Sequence, residues 1–209
     1  MLVELFNFFS DSYGPLRVFD YLSFRAIFAT LTALSVSLIL GPRFINKMHS
    51  IQVGQVIREE GPASHLSKKG TPTMGGTLIL SSIFISSILW GDLENRYLWV
   101  ALGVTTLFGL LGWVDDLYKL RLESSKGLSA FSKIFWQSLI ALVAVTFLFY
   151  SSESINEVSF IVPFFKNISI PLGLSFILIS YLVIVGSSNA VNLTDGLDGL
   201  AILPCVMVA

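Results

Sequence analysis

Residues 97–116 read Tyr-Leu-Trp-Val-Ala-Leu-Gly-Val-Thr-Thr-Leu-Phe-Gly-Leu-Leu-Gly-Trp-Val-Asp-Asp. No charged side chain interrupts Tyr97 to Val114, and then two carboxylates arrive together. A helix needs about 20 mostly apolar residues to cross a bilayer, with a range of about 17–25. The stretch therefore reads as a membrane span with a polar end.

Four more charge-free stretches extend the pattern: Ala26 to Pro42, Gly70 to Gly91, Ile134 to Ser152, and Asn167 to Thr194. The last has room for a loop as well. A sixth begins at Gly199 and stops at Ala209, too short to cross as a helix that rises about 1.5 Å per residue. The expectation is an all-α polytopic membrane protein with five complete transmembrane helices and the start of a sixth. It forms a single membrane domain over residues 1–209, cut off at its C-terminal end.

Composition agrees. Of 209 residues, 54% are hydrophobic and 13% charged, with a mean hydropathy of +0.76. Soluble domains carry about 25% charged residues, and a globular core does not explain so large a shortfall. A net charge of −1 provides no field for nucleic acid, so no nucleic-acid partner is expected. One cysteine, Cys205, excludes an internal disulfide framework. In its apolar run it reads as a small buried hydrophobe. Residues 1–22 carry Glu4, Asp11 and Asp20 without a basic start, unlike a cleavable leader, so the first long run is expected to stay as a span.

Orientation follows from lysine and arginine in alternate connections. With the N-terminus outside, Arg43, Lys47, Arg58, Lys68, Lys69, Lys119, Arg121, Lys126 and Lys133 share one side. Arg17, Arg25, Arg96 and Lys166 share the other. Nine against four places residues 43–69, 115–133 and 195–198 in the cytoplasm. The outer connection carries two short β-prone runs on either side of Lys166-Asn167, which predicts a small external β-hairpin at about 155–171. No internal repeat or low-complexity tract is present.

Three polar clusters lie at span ends, and this topology puts all three on the cytoplasmic face. The first runs from Ser64-His65 through Lys68-Lys69-Gly70-Thr71-Pro72-Thr73-Met74-Gly75-Gly76. Thr71 or Thr73 can cap the helix that follows, the glycines allow close backbone approach, and a helix N-terminus beside lysines suits a phosphate. An ordinary capped, positive-inside helix start would look the same. His65 and His49 read as loop residues.

The second cluster is Asp115-Asp116. Carboxylates at a membrane boundary are costly, and these lie near the negative end of a helix, where a cation would relieve them. Lys119, at i+4 and i+3, is one partner, so a helix salt pair is the plain alternative. Adjacent side chains diverge by about 100°, so one lysine is expected to serve only one of the two.

The third cluster is Ser187-Ser188-Asn189-Ala190-Val191-Asn192-Leu193-Thr194-Asp195-Gly196-Leu197-Asp198-Gly199. Amides and carboxylates recur here every third residue. A polar turn between spans rarely needs so many, whereas hard oxygen donors suit Mg²⁺, which usually takes one or two protein ligands plus substrate phosphates. Lys126 and Lys133 add charge on the same face. The sum suits a metal–diphosphate substrate that meets something held in the bilayer.

These motifs, in order and spacing, closely resemble the phospho-N-acetylmuramoyl-pentapeptide-transferase family. The first and third are long and specific; the aspartate pair alone is weak. The resemblance implies a ten-span enzyme of the bacterial cytoplasmic membrane with both termini outside. Its partners would be UDP-MurNAc-pentapeptide and undecaprenyl phosphate, giving lipid I and UMP, with Mg²⁺ as cofactor and a homodimer allowed. By match, Asp115 and Asp116 fall on the family's catalytic pair. Lys68, Thr73, Lys119, Lys126 and Lys133 fall on positions lining its polar cleft. Asn192 falls on the metal position and Asp116 is assigned to the metal with it, Asn189 falls on the substrate side, and Asp195 and Asp198 would face the metal or the nucleotide. The family's third catalytic aspartate and its histidine cluster belong to later loops, beyond Ala209. These 209 residues alone are therefore expected to release no UMP.

Three other readings stay open. A relative in the same superfamily would use a UDP-N-acetylhexosamine, although Thr71-Pro72-Thr73-Met74-Gly75-Gly76 leans toward the muramoyl enzymes. A transporter would place its ionisable groups near the bilayer midplane rather than at one face. A non-catalytic scaffold is the remaining option if the chain ends naturally at Ala209.

Overall fold

The computed structural model describes residues 2–10, 13–50, 74–122, 127–162, 164–165, 167–194 and 200–208. They fall into two compact units, Met1–Ser129 and Ala130–Ala209.

The first unit opens with α1 (Leu2–Ser10) and a 3₁₀ segment (Gly14–Asp20), neither anticipated from hydropathy. Three helices follow: α2 (Leu22–Ser50), α3 (Gly76–Trp90) and α4 (Arg96–Arg121). Expected to end at Pro42, α2 instead runs on to Ser50 and carries Arg43, Lys47 and His49 on its last turns. Proline removes one backbone donor and a helix can continue past it where neighbours tolerate the lost bond. His49 thus ends a helix rather than sitting in a loop, where a basic side chain suits the helix dipole.

Antiparallel packing of α2 and α3 brings polar groups and small residues onto one seam. Trp90 Nε1 donates to Thr32 Oγ1 at 2.9 Å, Ser37 Oγ donates to Ser82 Oγ at 3.0 Å, and Gly41 faces Leu78. Ser82 and Ser86 are buried on this seam. Small residues let helix backbones approach where there is no hydrophobic drive between helices in lipid. Leu80 of α3 fills the space over Gly109 of α4, where a Cβ would collide with it.

The second unit holds α5 (Ala130–Tyr150), a 3₁₀ turn (Ile155–Val158), a two-stranded sheet, α6 (Ser175–Thr194) and α7 (Ile202–Val208). On α5, Gln137, Ala141, Val145 and Phe149 recur at i, i+4. Ala141 and Val145 are fully buried, and Phe149 stacks on Phe176 of α6. No residue of α6 is itself buried.

The predicted hairpin is present, with corrections. Strand β1 (Ser159–Ile161) pairs antiparallel with β2 (Ser169–Pro171), in register Phe160 to Ile170. Residues from Ile155 to Val158 form a 3₁₀ turn instead of strand. The connection is wider than a two-residue turn: Val162 N–H reaches Ile168 O, while Phe165 N–H bonds Val162 O and Ile168 N–H bonds Phe165 O.

The protein is an all-α polytopic membrane protein. Helices α2, α4, α5 and α6 are each long and apolar enough to cross a membrane. The span expected at Gly70–Gly91 is the shorter α3, because Met74 takes a left-handed φ of 69° and the helix begins only at Gly76. Cys205 is exposed on α7, not buried, together with Ile202, Leu203, Val206 and Met207; no described element covers that helix.

Candidate functional site

The last two turns of α4 bring Asp115, Asp116 and Lys119 together. Lys119 Nζ lies 2.7 Å from Asp115 Oδ2 and 3.1 Å from Asp116 Oδ1. One lysine therefore serves both carboxylates, contrary to the expectation drawn from their 100° divergence. Lys119 follows them by three and four residues, which places its Cα between theirs one turn on, and its long stem spans the gap.

The two aspartates are not equivalent. Asp115 is 5% exposed, and its Oδ1 accepts the Leu128 backbone N–H at 2.7 Å. Both of its oxygens are thus held, one by an ammonium and one by an amide. That is what a buried charge requires, since an unpartnered one is strongly destabilising. Asp116 keeps a half-exposed side chain and has no described partner beyond Lys119. Its Oδ2 is open to a ligand.

Gly127 makes the Asp115 arrangement possible. A Cβ built there would collide with the Asp115 carboxylate and lie 2.6 Å from its Cγ. Neither Gly127 nor the Leu128 amide was legible in advance. The only signal was a lone glycine after Lys126, in a segment that also reads as a plain loop.

In the second unit, Asn189 of α6 donates through Nδ2 to Val185 O and to Gln137 Oε1 of α5, each at 2.8 Å. Because a backbone carbonyl only accepts, this fixes the amide orientation and leaves Oδ1 as an acceptor with no partner among the described residues. One turn on, Asn192 is exposed and its side chain makes no hydrogen bond to a described residue. Lys133, in the first turn of α5, is half-buried and engaged. Gln137 is a further polar residue that sequence reading passed over; an amide within an apolar helix was the available signal.

Gly75 holds the N-cap position of helix α3, and no side chain among the described residues bonds there. Thr77 N–H closes onto Met74 O at 3.0 Å instead. Lys68, Thr71, Thr73, Lys126, Asp195 and Asp198, with His65, lie outside the described residues.

Among the described residues, no three carboxylate, imidazole or thiol side chains gather as a metal cage. Within the first unit Asp116 offers a hard carboxylate oxygen, and within the second Asn192 has an unengaged carboxamide; each by itself is a donor of the type that Mg²⁺ accepts when phosphates complete its shell.

Two family comparisons bear on this chemistry. The pattern described as phospho-N-acetylmuramoyl-pentapeptide-transferase signature 1 matches residues 68–80, the segment leading into α3. The family model of glycosyl transferase family 4 matches residues 98–209, which takes in the aspartate pair, the hairpin and the asparagine-rich end of α6. With more than half of its length so matched, the chain belongs to glycosyl transferase family 4, as a membrane-embedded phospho-sugar transferase of the muramoyl-pentapeptide type.

Proposed function

We propose that the protein transfers phospho-MurNAc-pentapeptide from UDP-MurNAc-pentapeptide to undecaprenyl phosphate, giving lipid I and UMP. The observation that carries this reading is the muramoyl-type signature at residues 68–80, in a chain whose α4 ends on a lysine-bridged aspartate pair. In a bacterial cytoplasmic membrane with the N-terminus outside, that end of α4 faces the cytoplasm, where a UDP-sugar is found. The positive-inside count supports this orientation.

An oxygen of the lipid phosphate attacks the phosphorus attached to the sugar. A new P–O–P bond forms, the bond to the UMP phosphate breaks, and UMP leaves with that electron pair. Both partners are anionic, so the main task is to bring like charges together. A phosphate monoester has a second pKa of about 6, so the attacking group is already largely dianionic near neutral pH. Proton abstraction is then a minor requirement, and the carboxylates act chiefly by positioning.

In this reading Asp115 is the fixed member and Asp116 the presented one. Lys119 tethers both and turns its ammonium toward the phosphate path. When bound, Mg²⁺ would supply charge neutralisation at the diphosphate, held through Asp116 and Asn192. Asn189 would offer Oδ1 toward the nucleotide sugar, and Lys133, with the sequence-assigned Lys68, Thr73, Lys126, Asp195 and Asp198, would line the cleft.

The test is UMP release by the complete membrane-embedded protein that contains these residues, the form used in every activity measurement, with undecaprenyl phosphate, comparing UDP-MurNAc-pentapeptide and UDP-N-acetylhexosamine side by side. Release from the muramoyl nucleotide supports the reading. Release from the hexosamine alone would assign the protein to the other branch of the superfamily, and release from neither would sink the transferase.

A further inference from the structure

The N-terminal segment is built for a place the transferase reaction does not use. Val3 and Phe6 of α1 turn inward, and Val3 is buried. Phe6 stacks on Phe19 of the 3₁₀ segment at 4.3 Å between ring centroids. Phe19 in turn lies 5.6 Å from Phe28 of α2 and 5.6 Å from Trp90, the last residue of α3. Trp90 is tied to Thr32 of α2 by its indole N–H. Phe28 is six residues into α2, so this aromatic cluster sits within about 9 Å of the helix start. The segment is therefore fixed at one boundary level of the first unit. Because α3 and α4 are antiparallel, that level is opposite the Asp115–Asp116 end.

The other face of the segment is apolar and uncovered. On α1, Leu5, Phe8 and Phe9 point away from the cluster, with Phe8 78% exposed. Tyr13, Tyr21 and Leu22 continue this surface to the first residue of α2, whose exterior Ile27, Leu31 and Leu34 carry on into the span. The exposed face is thus continuous with the lipid-facing surface of a membrane helix. Aromatic side chains at that level suit the headgroup–acyl boundary, where a ring is half in hydrocarbon and a tyrosine hydroxyl stays wet. Charge points the same way: α1 carries Glu4 and no basic residue, and the 3₁₀ segment carries Arg17 together with Asp20, so no excess of positive charge selects anionic lipid.

We propose that α1 and the 3₁₀ segment form an interfacial anchor on the membrane face opposite the site, with Leu5, Phe8, Phe9, Tyr13 and Tyr21 seated in the headgroup–acyl boundary of the bilayer. Its occupant is lipid, held by apolar area and not by charge. The anchor sets the level of the α2 N-terminus and the α3 C-terminus together, because the Phe6–Phe19–Trp90 cluster joins all three.

The test uses the whole chain in phosphatidylcholine vesicles, with Cys205→Ser as background and single nitroxide labels at Phe8→Cys, Phe9→Cys and Tyr21→Cys. Glu94→Cys, in the exposed α3–α4 connection, serves as the aqueous control. The labels at 8, 9 and 21 are expected to relax more with dissolved oxygen than with a water-soluble nickel chelate, the reverse of position 94. That order should persist when the vesicles contain anionic lipid. A preference for nickel at 8 and 9 would put α1 in water and overturn the proposal. Immobile labels shielded from both reagents would overturn it as well, because a protein surface or a second copy would then cover the face.

Discussion

The Leu128 backbone N–H donates to Asp115 Oδ1 at 2.7 Å, so the chain that follows α4 folds back to close over the first of the two aspartates. Lys119 holds the other oxygen, and Asp115 becomes a fixed post within the site. Asp116, the next residue, is left to face outward.

This division of labour separates two substitutions that look alike in sequence. Asp115→Asn should lower stability by about 1–3 kcal/mol, because a buried group loses a charge-assisted partner. Asp116→Asn, at a half-exposed position, should cost under about 1 kcal/mol of stability while abolishing most transfer. Thermal unfolding in detergent and UMP release, measured on the same two preparations, check the pair. Equal loss of stability would mean that Asp116 is as structural as Asp115.

Gly127→Ala should displace the closing segment from Asp115, since the added methyl has no space. The helices do not depend on that contact, so helicity should hold while transfer falls about 100-fold, as misplacement of a reacting constellation by an ångström can cost. Circular dichroism and the rate of UMP release read the two effects separately. Unchanged transfer would show that the approach of Gly127 to Asp115 does not matter to the reaction.

Gln137→Leu and Asn189→Ala should each weaken the α5–α6 pairing by about 0.5–2 kcal/mol, the scale of hydrogen bonds between helices in membranes. The double variant should lose clearly less than the sum, because both single changes break the same 2.8 Å bond. Additive losses, measured by unfolding, would mean that the bond carries no coupling.

Chelation of divalent cations should stop UMP release, and added Mg²⁺ should restore it. Asn192→Ala should raise the Mg²⁺ concentration needed for half-maximal rate, since its carboxamide is one of the two donors proposed for the ion. Full activity in excess chelator would remove the metal from the scheme.

Much was legible in the chain by itself. The membrane spans could be read because a bilayer demands long apolar runs, and Tyr97 to Val114 can do little else. The polar clusters stood out for the same reason, since carboxylates and amides at span ends are costly unless used. The hairpin followed from β-prone runs flanking a polar break, although its loop is wider than its residues suggested.

Only the tertiary structure decided the rest. Adjacent aspartates look identical in sequence, and their difference arises from Gly127 and Leu128 closing on one of them. Gln137 and Asn189 are far apart in the chain, and packing of α5 on α6 makes them partners. The N-terminal helix is too short to register as a span, and its level became visible through the stacking of Phe6, Phe19 and Trp90. The physical reason is common to all three. Transfer from water to lipid acts residue by residue and can be summed along a sequence, whereas burial, hydrogen-bond partnership and ring stacking are properties of pairs that only folding brings together.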